Sequence, residues 1–173
     1  MSDGVHRVVF LCTGNSARSI LGEALLARLG EGRFESCSAG SKPKGEVHPL
    51  ALALLEDRGF DTSGLRSKSW DELAREGAPQ LDFVFTVCDN AAGETCPVWP
   101  GRPVTAHWGI ADPAAATGTE AERRAAFERA YAELERRIDL FMQLDLETLA
   151  PDDLAAKLRE IGRIEGATEG VKK

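Results

Sequence analysis

Cys12 opens the run Cys12-Thr13-Gly14-Asn15-Ser16-Ala17-Arg18-Ser19. A thiolate is a strong nucleophile, and an arginine shortly after it can offer a planar fork to a tetrahedral oxyanion. The residues between them suit a tight loop whose N–H groups converge on an anion, while a helix N-terminus adds positive potential. The substrate-binding set is therefore Thr13, Gly14, Asn15, Ser16, Ala17, Arg18 and Ser19. The same field is expected to lower the Cys12 thiol pKa from ~8.5 toward the ~3.5–7.5 range of activated cysteines. Asn15 tolerates left-handed backbone angles and can brace the loop through its amide. Ser19 could donate to the Cys12 sulfur or simply cap the helix. A structural cysteine before an ordinary turn is the blander reading, but it leaves Gly14, Asn15, Arg18 and Ser19 unexplained.

Three other positions carry chemistry. Cys88 follows a strand-like run, and Cys96 lies eight residues later in a segment containing Gly93. That spacing permits a disulfide if the chain folds back, without requiring one. Asp112-Pro113 could hold a general acid or be a plain turn before a helix. Cys37 sits inside a strand-like run and reads as a bystander. There is no CxxC pair and there are three histidines, so zinc is a weak reading and no metal or cofactor is expected.

The elements around these residues alternate in type. Arg7–Leu11 is a continuous apolar run, as in a parallel strand buried on both faces. Ser19–Leu29 has helical apolar spacing and stops at Gly30. Arg33–Ala39 reads as a second strand. Pro49–Arg58 reads as a helix that begins at His48-Pro49 and ends at Gly59. A short helix starts near Ser69, with Ser69-x-x-Glu72 as a capping box. Asp82–Val87 and Val104–Trp108 complete four strands, with Asp89–Pro103 a loop between them. Thr119-x-x-Glu122 opens a long helix whose stripe Phe127, Tyr131, Leu134, Ile138, Phe141 faces the core. Pro151–Ile161 reads as a terminal helix, and Gly162–Lys173 as a frayed tail. This order predicts an α/β, three-layer fold: a four-stranded parallel sheet with helices on both faces. Ligands in such folds bind at the carboxyl ends of the strands, the edge where Cys12, Cys88 and Asp112 all fall. Residues 1–145 are read as one domain and 146–173 as a C-terminal helical extension with a flexible tail.

Acids outnumber bases by 28 to 21 among 173 residues, a net charge of −7. That argues against a nucleic-acid surface. It also means that an anionic substrate must be attracted by local dipoles and a few placed bases. No apolar run approaches the ~20 residues needed to cross a bilayer, and Met1–Arg7 has no signal-peptide core. A cytoplasmic location is expected, with the cysteines resting as thiols.

Taken together, Leu11–Ser19, Ser38-Ala39-Gly40, Phe85–Asp89, Cys96-Pro97, His107-Trp108-Gly109 and Asp112-Pro113 resemble the low-molecular-weight tyrosine phosphatase superfamily, and more closely its thioredoxin-coupled arsenate reductases. The resemblance covers roughly residues 7–143. It implies that arsenate binds the Cys12 loop, that the Cys12 thiolate attacks arsenic, and that Asp112 protonates the leaving oxygen. Cys88 would then attack Cys12, and Cys96 would attack Cys88, leaving a Cys88–Cys96 disulfide for thioredoxin (or glutaredoxin with glutathione). The reading is thus arsenate reduction for arsenic detoxification. A phosphatase using a Cys12 phosphoenzyme is the alternative, and a redox-sensing or anion-binding module a further one. Tyrosine phosphatases of this fold place tyrosine beside the Asp-Pro. Here Ala114-Ala115-Ala116 follows, and the only tyrosine, Tyr131, lies on the core stripe. Some family members bind potassium near positions matching Asn15, Glu23 and Ser38. The acidic position of that site falls at or beside Lys68, whose ammonium would replace the metal. His107 and Trp108 are expected to pack against the Asp112 loop.

Overall fold

The computed structural model describes residues 5–88, 99 and 103–164. Cys96 and Gly93 lie outside the described residues. Four strands form one all-parallel sheet: β1 (His6–Leu11), β2 (Phe34–Ala39), β3 (Phe83–Thr86) and β4 (Val104–His107), in the order β2-β1-β3-β4. Among the described residues the helices are α1 (Arg18–Leu29), α2 (Pro49–Asp57), α3 (Asp71–Ala74), α4 (Glu120–Met142) and α5 (Pro151–Gly162), with a single 3-10 turn at Pro113–Ala115. No described helix is long and apolar enough to cross a membrane.

The run in β1 is apolar throughout because both its faces are covered. Val8 and Phe10 join the larger core with α1, α2, α4 and α5. Val9 and Leu11 face a smaller cluster with Leu81, Val84 and Trp99, flanked by Trp70, Leu73 and Ala74. The stripe Phe127, Tyr131, Leu134, Ile138 and Phe141 is buried as its spacing requires. Thr119 and Glu122 close a reciprocal capping box at the start of α4.

Register fixes the functional edge. Leu11 pairs with Ala39 and with Thr86, and Thr86 with His107. These four residues form one row across the sheet. Cys12, Gly40, Cys88 and the segment leading to Asp112 all begin just past it.

Two local expectations are corrected. The Ser69–Glu72 box does not close: α3 has four residues, Ser69 Oγ accepts from the Asp71 amide at 3.1 Å, and Glu72 is paired with Arg66 at 2.6 Å. An exposed carboxylate offered a guanidinium fork takes it over a lone amide. Gly162 is no tail residue, since it ends α5 in a buried position. A Cβ there would stand 2.1 Å from the His107 carbonyl oxygen, so only glycine lets the helix come this close to β4.

Candidate active site

The Cys12 loop is held from outside through its carbonyls. The amides of Lys42, Lys44 and His48 donate to the carbonyls of Thr13 (3.0 Å), Gly14 (3.0 Å) and Ser16 (2.8 Å). A peptide plane turns its C=O and the next N–H in opposite directions. The N–H groups of Gly14, Asn15 and Ala17 therefore face away from the 41–48 segment, toward the concave side of the loop. The Gly14 amide already reaches the Cys12 sulfur. Gly40 makes this stacking possible: a Cβ on it would lie 2.4 Å from the Thr13 carbonyl oxygen and 2.7 Å from that of Cys12.

Asn15 is the brace its residue type led one to expect. Its φ is 45°, and it is fully buried. Its Nδ2 donates to Ser19 Oγ (2.8 Å) and Ser38 Oγ (3.0 Å), while Oδ1 accepts from the Lys68 amide (2.8 Å). Ser19 is thus an acceptor in this brace. The helix N-cap is Ala17, which makes no side-chain cap. The network continues: Ser38 Oγ donates to Glu23 Oε1 at 2.6 Å, and Lys68 Nζ lies 3.9 Å from the same oxygen. Burial pushes the Glu23 carboxyl up, opposed by the Ser38 hydrogen bond and by the Lys68 and Arg66 charges. The Lys68 ammonium therefore stands beside Glu23 and 3.4 Å from the Arg66 carbonyl oxygen, while it is the Lys68 backbone amide that meets Asn15.

Arg18 and Asp112 meet at the loop's mouth. Arg18 Nη1 donates to the Ile110 carbonyl at 2.9 Å, and Nη2 lies 3.6 Å from Asp112 Oδ2. Asp112 Oδ1 accepts from the Ala114 amide, which fixes the carboxylate at the head of the 3-10 turn. Arg18 Nε is buried and has no hydrogen-bond partner among the described residues. A buried donor on a cation is costly to leave unpaired, so this atom is the one an incoming oxyanion would satisfy.

Cys12 and Cys88 come together although 76 positions separate them. Cys12, Cys37 and Cys88 are free thiols, and Cys12 and Cys88 are both buried. The two sulfurs are in hydrogen-bonding reach of each other. Thr13 N–H points at Cys88 Sγ at 3.2 Å, and Thr13 Oγ1 is 3.6 Å from it. This changes the expectation for Cys12. The hydrogen bond that the Cys12 thiol donates to Cys88 and then burial push its pKa up, against the lowering by Arg18 and the Gly14 amide. Two sulfurs this close and this buried do not both ionise. Cys37 lies on β2, where burial pushes its thiol up to about 12, far from a reactive state. Trp108 turns into the core, stacked 3.8 Å from the Phe85 ring, and His107 Nδ1 shares a 2.7 Å hydrogen bond with Thr86 Oγ1.

Four parallel strands, a cysteine-to-arginine anion loop after the first and an Asp-Pro after the last define a class. The chain matches the low molecular weight phosphotyrosine protein phosphatase family over residues 7–153, and it belongs to that family. The curated relatives it is similar to include arsenate reductases. An arsenate reductase of Halalkalibacterium halodurans is 36% identical over 136 residues, covering 79% of this chain and 94% of the relative. One from Bacillus subtilis is 35% identical over the same shares. Among solved structures, a thioredoxin-dependent arsenate reductase of Corynebacterium glutamicum superposes with a TM-score of 0.54 at 28% identity, over 81% of this chain and 65% of that one.

Proposed function

We propose that this chain reduces arsenate to arsenite by a thiol relay from Cys12 to Cys88 to Cys96. The observation that carries the relay is the Cys88 sulfur lying beside Cys12, with the Thr13 N–H directed at it. A hydrolase needs Cys12, Arg18 and Asp112 but has no use for a second thiol there.

Arsenate enters the loop and meets the inward N–H groups and Arg18 Nε. With Arg18 and the Gly14 amide favouring its ionised form against Cys88 and burial, Cys12 attacks as the thiolate, an S–As bond forms as an As–O bond breaks, and Asp112 protonates the departing oxygen. Cys88 then attacks Cys12 Sγ. An S–S bond forms, the S–As bond breaks, and its electron pair goes to arsenic, which leaves as arsenite. The Thr13 amide directed at Cys88 supports this step by favouring its thiolate. Cys96 next attacks Cys88 Sγ, frees the Cys12 thiolate and leaves a Cys88–Cys96 disulfide. A dithiol must reduce that bond. Thioredoxin is the first choice, supported by the thioredoxin-dependent relative, with glutaredoxin and glutathione the other option. The work of such a relay, arsenic detoxification, belongs in a reducing, cytoplasmic compartment. We assign the chemistry to residues 1–145 and a supporting role to 146–173.

Steady-state arsenate reduction with thioredoxin, thioredoxin reductase and NADPH, compared with glutaredoxin and glutathione, tests the reading. Cys88→Ser is expected to cut arsenate turnover by at least ~10³-fold, as for a lost nucleophile. It should leave hydrolysis of p-nitrophenyl phosphate by Cys12 intact. Arsenate reduction that survives the substitution would refute the relay. Hydrolysis alone in the unsubstituted protein would make it a phosphatase.

A further inference from the structure

A protein of net charge −7 repels an anionic substrate at long range. Arg18 cannot reverse this, because its side chain is 13% exposed and paired with Asp112. Two other cations flank the loop, on separate elements. Lys44 belongs to the segment stitched to the loop. Its amide donates to the Gly14 carbonyl, and its Cγ, Cδ and Cε lie 3.3–3.6 Å from where a Cβ on Gly14 would sit. The lysine stem thus crosses the bare Gly14 backbone, and the residue is exposed. Arg123 is exposed near the start of α4, one turn before Phe127 and on the same face. The Phe127 ring lies 4.7 Å from the His48 ring, which puts Arg123 on the His48 side of the helix.

His48 registers both charges. Its Nδ1 accepts from the Leu50 amide at 3.1 Å, so the ring serves as a neutral helix cap. Burial holds its pKa below the usual value, helped by Arg123 and Lys44 and opposed by Asp112. Lys44, Arg123 and Asp112 therefore all lie within electrostatic reach of one imidazole, on the residue whose amide holds the Ser16 carbonyl of the Cys12 loop.

We propose that Lys44 and Arg123 form a cationic rim over the Cys12 loop that gathers the tetrahedral oxyanion substrate and sets its apparent affinity, without joining the bond-making steps. The proposal rests on the assigned arsenate chemistry only for the identity of the oxyanion. Charge at the rim raises the local concentration of anions and speeds encounter, an effect that salt screens over ~8–10 Å.

Kinetics on Lys44→Met, Lys44→Arg, Lys44→Glu and Arg123→Met decide it. The two methionine variants should raise the KM for arsenate by ~3–10-fold, with kcat within about twofold of the parent. Lys44→Glu should raise KM further, and Lys44→Arg should restore it. The fall of kcat/KM with ionic strength should be shallower in both methionine variants. A second arm needs no turnover: protection of Cys12 from iodoacetamide by inorganic phosphate should weaken by the same factors. If the parent protein fails to reduce arsenate, the functional reading falls and the phosphate arm still judges the rim. Unchanged KM, salt slope and phosphate protection in the variants would overturn the rim, as would a loss confined to kcat.

Discussion

Lys68 and Glu23 form a largely buried ion pair. Their side chains are 10% and 15% exposed, and the ammonium stands 3.9 Å from the carboxylate that also accepts from Ser38. Burial raises the Glu23 pKa in the folded protein, and Lys68 acts against that rise. A carboxyl whose folded pKa lies above its unfolded value costs stability when ionised, and the cost vanishes as pH falls and the group protonates. Lys68→Met removes the opposing charge. The variant should lose about 2–4 kcal/mol at pH 8, near the cost of orphaning a buried pair, and less at pH 5, where Glu23 can take a proton. Thermal unfolding of both proteins at the two pH values reads this directly, and an equal gap at both would remove Glu23 from the explanation. An ammonium in this place would make a metal cation redundant beside Glu23. The unsubstituted protein should show the same activity in potassium and sodium; stimulation by potassium would contradict the substitution of metal by lysine.

At the scale of elements, the loop is a product of two crossings of the sheet edge. β1 delivers Cys12 and α1 receives Arg18, but the backbone after β2 sets which way the loop's amides point. Gly40 is the hinge of that arrangement, with Thr13 and Cys12 carbonyl oxygens 2.4 and 2.7 Å from a Cβ it does not have. Gly40→Ala must push the 41–48 segment off the loop, at a cost of about 1–3 kcal/mol for an overpacked site. The expected signature is a fall in kcat/KM of more than ~100-fold, as for 1 Å misplacement of a reacting group, with far-UV circular dichroism unchanged. Activity close to that of the parent would mean that the loop does not depend on this contact. The strand, loop and helix around Cys12 were legible from local pattern: an apolar run, a turn, a 3.6-residue period. So were Asn15's left-handed backbone, the capping box of α4 and the edge shared by Cys12, Cys88 and Asp112. The amides of Lys42, Lys44 and His48 on the loop carbonyls were not, because backbone hydrogen bonds leave no mark on side-chain pattern. Nor was the effect of Cys88 on the Cys12 thiol. The loop's own field argued for a lowered pKa, and the sulfur that reverses it is distant in sequence. The Ser69–Glu72 box failed for a similar reason, since Arg66 offered Glu72 a stronger partner.

For the whole molecule, the chain's last described helix closes the architecture. The family match ends at residue 153, so most of α5 lies beyond it. Yet Leu154, Leu158 and Ile161 belong to the same core as β1 and α1. The Leu158 carbonyl accepts from Trp108 Nε1 at 3.0 Å, and Gly162 rests on the His107 carbonyl. β4 is an edge strand, and α5 is the element that covers its end. Trp108 in turn stacks on Phe85 and begins the segment that runs through Ile110 to Asp112. A helix that read as an appendage is therefore part of the wall behind the functional edge. Leu158→Ala leaves a cavity at a fully buried position and should cost about 2–5 kcal/mol. It should also redden the emission of Trp108, whose ring loses a neighbour that excludes water. Because Trp70 and Trp99 also emit, the shift is to be read against Leu158→Ala in a Trp108→Phe background, where it should disappear. A cost below ~1 kcal/mol, with emission unchanged, would mean that α5 merely leans on the sheet. The core would then be complete without it.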